Sequence, residues 1–250
     1  PSEPTMSESS RIAIVTGASR GFGRATAAAL VAAGNHVVGI ARDEQELNAV
    51  RAELGAAFTP VVGDATDETL ARQLIHEHQP ALLVLNAGAT PHVAPVHEQT
   101  WETFSRNWHV DTKHAFAWIT AALREPLAAG SVVVAMSSGA ALAGSPLSGG
   151  YASAKAAIRY LRNYAADEST RAALGIRFVA LLPQLTPTGV GAGGVTGYAA
   201  REGISVEAFV ERLAPVLTPE LLAKAVTEVV DNPASAAEYQ VGGAGLRALS

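Results

Sequence analysis

The chain has 250 residues, 48% of them hydrophobic and only 16% charged, with 18 Lys+Arg against 23 Asp+Glu for a formal net charge of -5. That length and apolar share suffice for one sizeable core and a single domain, while the acidic balance argues against a nucleic-acid surface or a polybasic membrane patch. Cysteine is absent, which excludes disulfides, iron–sulfur clusters and thiolate zinc sites.

The opening PSEPTMSESS, residues 1–10, is polar and lacks a basic n-region, so it is expected to be a flexible tail. The lack of a signal peptide points to the cytoplasm. The longest alanine-rich apolar stretch, 25–33, falls short of the ~20 residues a bilayer span needs. From residue 11 onward, short β-branched runs alternate with longer helical stretches, the pattern of a parallel sheet covered on both faces. RIAIVT (11–16) predicts a first strand, and an alanine-rich helix follows over 21–33, closed by Gly34-Asn35. HVVGIA (36–41) predicts the second strand, with Asp43 placed to cap a helix running to Leu54. A third strand is expected over 58–62 and a third helix over 66–78. A fourth strand spans 81–85, and a long helix 100–123. SVVVAM (131–136) is the fifth strand, 151–174 another long helix, and 177–182 the sixth strand. Residues 186–200 are rich in Gly, Thr and Ala and read as a mobile loop. Short helices are expected from Val206 and from Pro219, the latter capped by Thr218. A last short strand over 239–241 closes the chain, and no linker divides it.

TGASRGFG (16–23) lies between the first strand and the first helix. Glycines there permit a tight turn, let backbone approach a pyrophosphate, and aim a helix N-terminus at it. The same residues, Gly17-Ala18-Ser19-Arg20-Gly21, formally match a G-x-S-x-G nucleophile elbow, but that elbow needs several strands before it and an acid and a histidine after it. Tyr151 and Lys155, at i and i+4, project from one helix face. Tyrosine is a poor acid–base group at neutral pH, its reference pKa being about 10. A lysine ammonium about 4 Å away favours the phenolate by ~4 kcal/mol at an effective dielectric near 20. Such a pair can exchange a proton with a substrate oxygen.

TGASRGFG, Asn86-Ala87-Gly88 after the fourth strand and Tyr151-Ala152-Ser153-Ala154-Lys155 opening a long helix, taken together, resemble the short-chain dehydrogenase/reductase family over about residues 11–243. The resemblance implies a Rossmann-type doubly wound parallel sheet of about seven strands with helices on both faces. It implies one domain over 11–250 that carries both cofactor and substrate sites, with a substrate lid at about 185–215. It implies hydride transfer between a nicotinamide and a carbonyl or secondary alcohol, with Ser138 orienting the substrate oxygen, Tyr151 handling the proton and Lys155 supporting it. Asp111 stands where the family usually carries an asparagine that holds a relay water; Asn107, one helical turn earlier, is the alternative. Pro183-Gln184 replaces the usual Pro-Gly. By the same resemblance the cofactor would be held by Gly17, Ser19, Arg20, Gly21, Phe22, Gly23, Arg42, Asp64, Ala65, Asn86, Gly88, Pro183 and Thr188, together with Tyr151 and Lys155.

NAD-preferring members carry an acidic residue at the end of the second strand; Ala41-Arg42 stands there instead. Arg42, with Arg20 in the turn, would attract a 2′-phosphate, which favours NADP(H) over NAD(H). His76, His78, His92, His97, His109 and His114 form no metal-binding spacing, and no metal is expected. The small and apolar residues of 90–96, 144–150 and 185–213, with Tyr198 and Phe209, suit an uncharged, apolar ketone or alcohol. The two long helices, with Trp101, Trp108, Trp118 and Tyr160, lie where family members pair as homodimers or homotetramers, and packing within the chain's own core accounts for these aromatics equally well. Asp111 and Gln184 also leave open a catalytically impaired nucleotide-binding sensor or scaffold of the same fold.

Overall fold

The computed structural model describes residues 11–249. Six runs dominated by apolar residues become parallel strands: β1 (Ile12–Thr16), β2 (His36–Ala41), β3 (Phe58–Val62), β4 (Leu82–Leu85), β5 (Val132–Met136) and β6 (Arg177–Pro183). β4 and β5 are buried at every position, as expected for strands covered on both faces. β7 (Glu238–Gly242) continues the parallel sheet, and β8 (Gly245–Ala248) adds an antiparallel edge. The order is β3-β2-β1-β4-β5-β6-β7-β8.

The sheet, expected to have about seven strands, has eight. β8 escaped the sequence pattern because it is short and largely exposed, with no apolar alternation to betray it. It is set by a turn in which Gly245 takes φ +104° and Gly243 packs where a Cβ would lie 2.1 Å from the Pro215 carbonyl.

Strand alternation divides the core into two layers. Ala13, Val15, Val37 and Val134 face α1 (Gly21–Ala32), α2 (Glu44–Leu54) and, near the end of the chain, the helix Pro219–Asp231. Ile14, Val38, Leu83 and Val133 face α3 (Glu68–His78) and two long helical segments. The first of these runs as α4 (Trp101–Asn107), a π-helical turn (Trp108–Thr112) and α5 (Lys113–Arg124), where one continuous helix was expected. After β5 come a short α6 (Ala140–Ala143), absent from the sequence reading, and α7 (Gly149–Arg171). Asp43 caps α2 by accepting from the Glu46 amide at 2.9 Å, as its position predicted.

Residues 186–200 are not the expected loop. They hold α8 (Ala192–Glu202), followed by α9 (Val206–Arg212) and α10 (Pro219–Asp231). Val195, Ala199 and Phe209 form a small separate core. The glycines read as signs of looseness serve close packing: a Cβ on Gly191 would lie 2.3 Å from the Thr186 carbonyl, and one on Gly197 2.8 Å from Val93 Cγ1. Among the described residues no helix is long and apolar enough to cross a membrane. The expected tail, 1–10, lies outside the described residues.

Candidate active site

Strand order reverses between β1 and β4, and in open α/β sheets the crevice beyond the strand ends at that point is where ligands bind. Two sequence motifs converge there. Thr16, the last residue of β1, accepts hydrogen bonds at its Oγ1 from the backbone amides of Asn86 (2.9 Å) and Ala87 (3.1 Å), while Asn86 Nδ2 donates to the carbonyls of Thr16 and Gly17. The glycine-rich turn and Asn86-Ala87-Gly88 are thus tied together. Below them His114 Nε2 lies 2.8 Å from Thr16 Oγ1. Burial, helped by the nearby Lys155 charge, pushes His114 down to about 3, so the imidazole is neutral.

The turn itself is compact. Gly17 has φ +66° and Gly21 φ +53°, and a Cβ on Gly23 would lie 2.0 Å from the Gly17 carbonyl. No side chain caps α1 and its first turn carries no acidic residue. Its leading amides are therefore available to an anion. Ser19, within the turn, donates to Glu46 Oε2 at 2.7 Å, a carboxylate that the sequence reading passed over. Arg20 and Arg42 are exposed. Asp64, two residues beyond β3, accepts from the Thr66 amide, which with the more distant Arg42 and Lys113 holds its carboxyl below the usual range. Ala65 gives its carbonyl to Trp118 Nε1 at 2.9 Å.

Across the crevice, the first turns of α7 present Tyr151 half-buried and Lys155 buried. α7 approaches α4 closely because Gly150 has no side chain; a Cβ there would lie 1.9 Å from the Phe104 carbonyl. Lys155 Nζ donates to the Met136 carbonyl at 3.1 Å and sits 5.6 Å from the centroid of the Tyr151 ring. Ser137 Oγ donates to the Lys155 carbonyl at 2.8 Å, fastening α7 to the end of β5. Ser138, next in the chain and also buried, accepts from the Ala140 amide at 3.2 Å. The neighbouring serines thus have different work, one inside the scaffold and one at the start of the loop.

Asp111 lies in the π-turn and is fully buried, with Oδ2 3.3 Å from Lys155 Nζ. Its Oδ1 accepts from the Ala89 amide (2.8 Å) and from Asn107 Nδ2 (3.4 Å). Asp111 therefore faces the lysine, and Asn107 stands behind it, also bonded to the Ala89 carbonyl. Gly88 packs against the carboxylate, where a Cβ would lie 3.1–3.3 Å from its atoms. Thr188 is exposed, and Thr186 Oγ1 donates to its carbonyl. Gln184 donates its backbone N–H to the Val241 carbonyl of β7 and its side-chain amide to the Pro215 carbonyl, so the usual glycine position is filled by a tether to the segment after α9. The segments expected around a substrate do meet: Tyr198 OH accepts from the Leu147 amide, Ala94 N donates to Leu147 O, and Val93 packs on Gly197.

The family model for short chain dehydrogenase matches residues 11–195. The chain belongs to the short-chain dehydrogenase/reductase family. Among curated relatives it is 34% identical over 191 residues to a cis-4-hydroxycyclohexanecarboxylate dehydrogenase of Sinomonas cyclohexanicum, covering 73% of this chain and 76% of that protein. It is 35% identical over 103 residues to an L-xylulose reductase of Mesocricetus auratus, a match that spans only 41% of this chain and 42% of the relative. Among solved structures, a short-chain dehydrogenase from Streptomyces avermitilis superposes with a TM-score of 0.76 at 26% identity, covering 96% of this chain and 90% of that one. Membership of this family implies an NAD(P)-dependent oxidoreductase with a small-molecule substrate.

Proposed function

We propose that the protein interconverts a carbonyl compound and a secondary alcohol with NADP(H), acting in the cytoplasm on an uncharged and mainly apolar substrate. The observation that carries this reading is the buried Lys155 ammonium, held by the Met136 carbonyl beside the half-buried Tyr151 ring. Tyr151 is the group that gives or takes the proton at the substrate oxygen, Lys155 supports the phenolate, and Ser138 orients that oxygen.

The residues present fit a dinucleotide. The glycine turn has no room for side chains at Gly23, and the uncapped α1 N-terminus leaves amides for a pyrophosphate. Gly17, Ser19, Gly21, Phe22, Gly23, Asn86 and Gly88 would hold its phosphate and central portion, Asp64 and Ala65 its adenine, and Pro183, Thr188, Tyr151 and Lys155 its nicotinamide half. When bound, the nicotinamide supplies the hydride chemistry. The exposed Arg20 and Arg42 support NADP(H), because no ion pair engages either among the described residues. The apolar residues around Val93, Leu147 and Phe209 support an apolar substrate.

An exposed apolar face on the π-turn, α5 and α7 supports a homodimer or homotetramer. Trp108, Phe116, Tyr160 and Tyr164 are 41–61% exposed there and line one groove.

A screen of NADPH and NADH consumption across ketone classes tests the reading. NADPH-dependent turnover that collapses in Tyr151→Phe with nucleotide binding retained is the expected result. Equal or better rates with NADH would remove the arginine argument. The carboxylate set against Lys155 is the observation favouring a catalytically impaired nucleotide sensor, and nucleotide binding without turnover of any carbonyl would select it.

A further inference from the structure

Among the described residues the polar partners of Asp111 are donors and a positive charge. Oδ1 receives the Ala89 amide and the Asn107 side chain, and Oδ2 takes no aligned hydrogen bond but faces the Lys155 ammonium at 3.3 Å. Among the described residues every hydrogen bond and ion pair of the carboxyl group is made with a donor or a cation, which is the pattern that a carboxylate satisfies. The π-turn over 108–112 widens the helix at this point, and such bulges favour functional positions. Gly88 leaves the space that the carboxylate occupies.

Resting on the proposed reading of Tyr151 and Lys155, we propose that Asp111 is a positioning residue, a buried counter-ion that takes up much of the Lys155 charge and so moves the working range of Tyr151 toward alkaline pH. An amide in this place would orient the lysine or a water without neutralising it; a carboxylate does both. Burial alone pulls the Lys155 ammonium down, and Asp111, with Tyr151 behind it, outweighs that and holds the lysine above its ordinary range. The groups facing Lys155 are Tyr151 from its own helix, Asp111 from the π-turn and His114 from α5. His114 is neutral, so Asp111 is the negative charge set against the ammonium.

The test needs no substrate. The ultraviolet absorbance of tyrosinate is followed against pH, with the signal of Tyr151 isolated by subtracting the same protein carrying Tyr151→Phe. In Asp111→Asn the Tyr151 signal should rise at a pH lower by about one unit, the lower end of what one adjacent charge does. Asp111→Ser, which removes the charge and leaves room for water, should shift the same way and serves if the amide packs badly beside Ala89. Asp111→Glu, which keeps the charge, should stay near the unmodified protein. A Tyr151 signal that does not move in a folded Asp111→Asn or Asp111→Ser protein overturns the proposal. So does an equal shift in Asp111→Glu. Failure of the catalytic reading looks different: the signal moves as expected while no carbonyl is turned over.

Discussion

Acidification should loosen the cofactor cradle through one imidazole. His114 is fully buried in α5, and its Nε2 lies 2.8 Å from the Thr16 hydroxyl that accepts the Asn86 and Ala87 amides. Its pKa is about 3 in the folded protein against an ordinary value of 6.5. Between those values the unfolded chain binds a proton that the folded chain refuses, so stability falls as pH drops below about 6.5. Each pH unit costs about 1.4 kcal/mol, which makes about 2 kcal/mol at pH 5. Urea unfolding at pH 7 and at about pH 5, followed by tryptophan fluorescence, reads this loss directly. The partner measurement is His114→Gln, whose amide can still hydrogen-bond the Thr16 hydroxyl but does not titrate. That variant should be less stable at pH 7 yet lose about 2 kcal/mol less on going to pH 5. Parallel pH dependences in the two proteins would refute the linkage, and with it the neutral, tightly held imidazole.

Three further perturbations address other parts of the molecule. Gly23→Ala forces a methyl to within 2.0 Å of the Gly17 carbonyl and should weaken NADPH binding at least about tenfold, measured by fluorescence titration; undiminished affinity would mean the turn does not cradle the nucleotide. Glu238→Gln removes the carboxylate that pairs Arg159 (2.6 Å) and the buried Arg162 (3.5 Å), leaving guanidinium charge uncompensated. It should cost about 3 kcal/mol in denaturant unfolding, and a change under about 1 kcal/mol would show that water already screens the cluster. Phe116→Asp places a charge in the exposed groove between α5 and α7, and sedimentation should show a smaller species than the unmodified protein; an unchanged state would locate any self-association elsewhere.

Strand positions β1 to β6, their parallel arrangement and the location of the glycine turn could all be read along the chain. Strands buried on both faces appear as short apolar runs, and caps such as Asp43 act within one turn of their own position. The same locality makes Tyr151 and Lys155 a visible pair. α8, β8 and the π-turn were hidden because distant neighbours stabilise them: the glycines that look like breakers in α8 and just before it are there so that Val93 and Thr186 can approach. The couplings that set the chemistry, Asp111 with Lys155, Thr16 with His114 and Ser19 with Glu46, join residues far apart in the chain. No periodicity encodes them. They arise when helices from different layers dock on one sheet, since the energy of a charge depends on which partners the finished packing brings within a few ångströms.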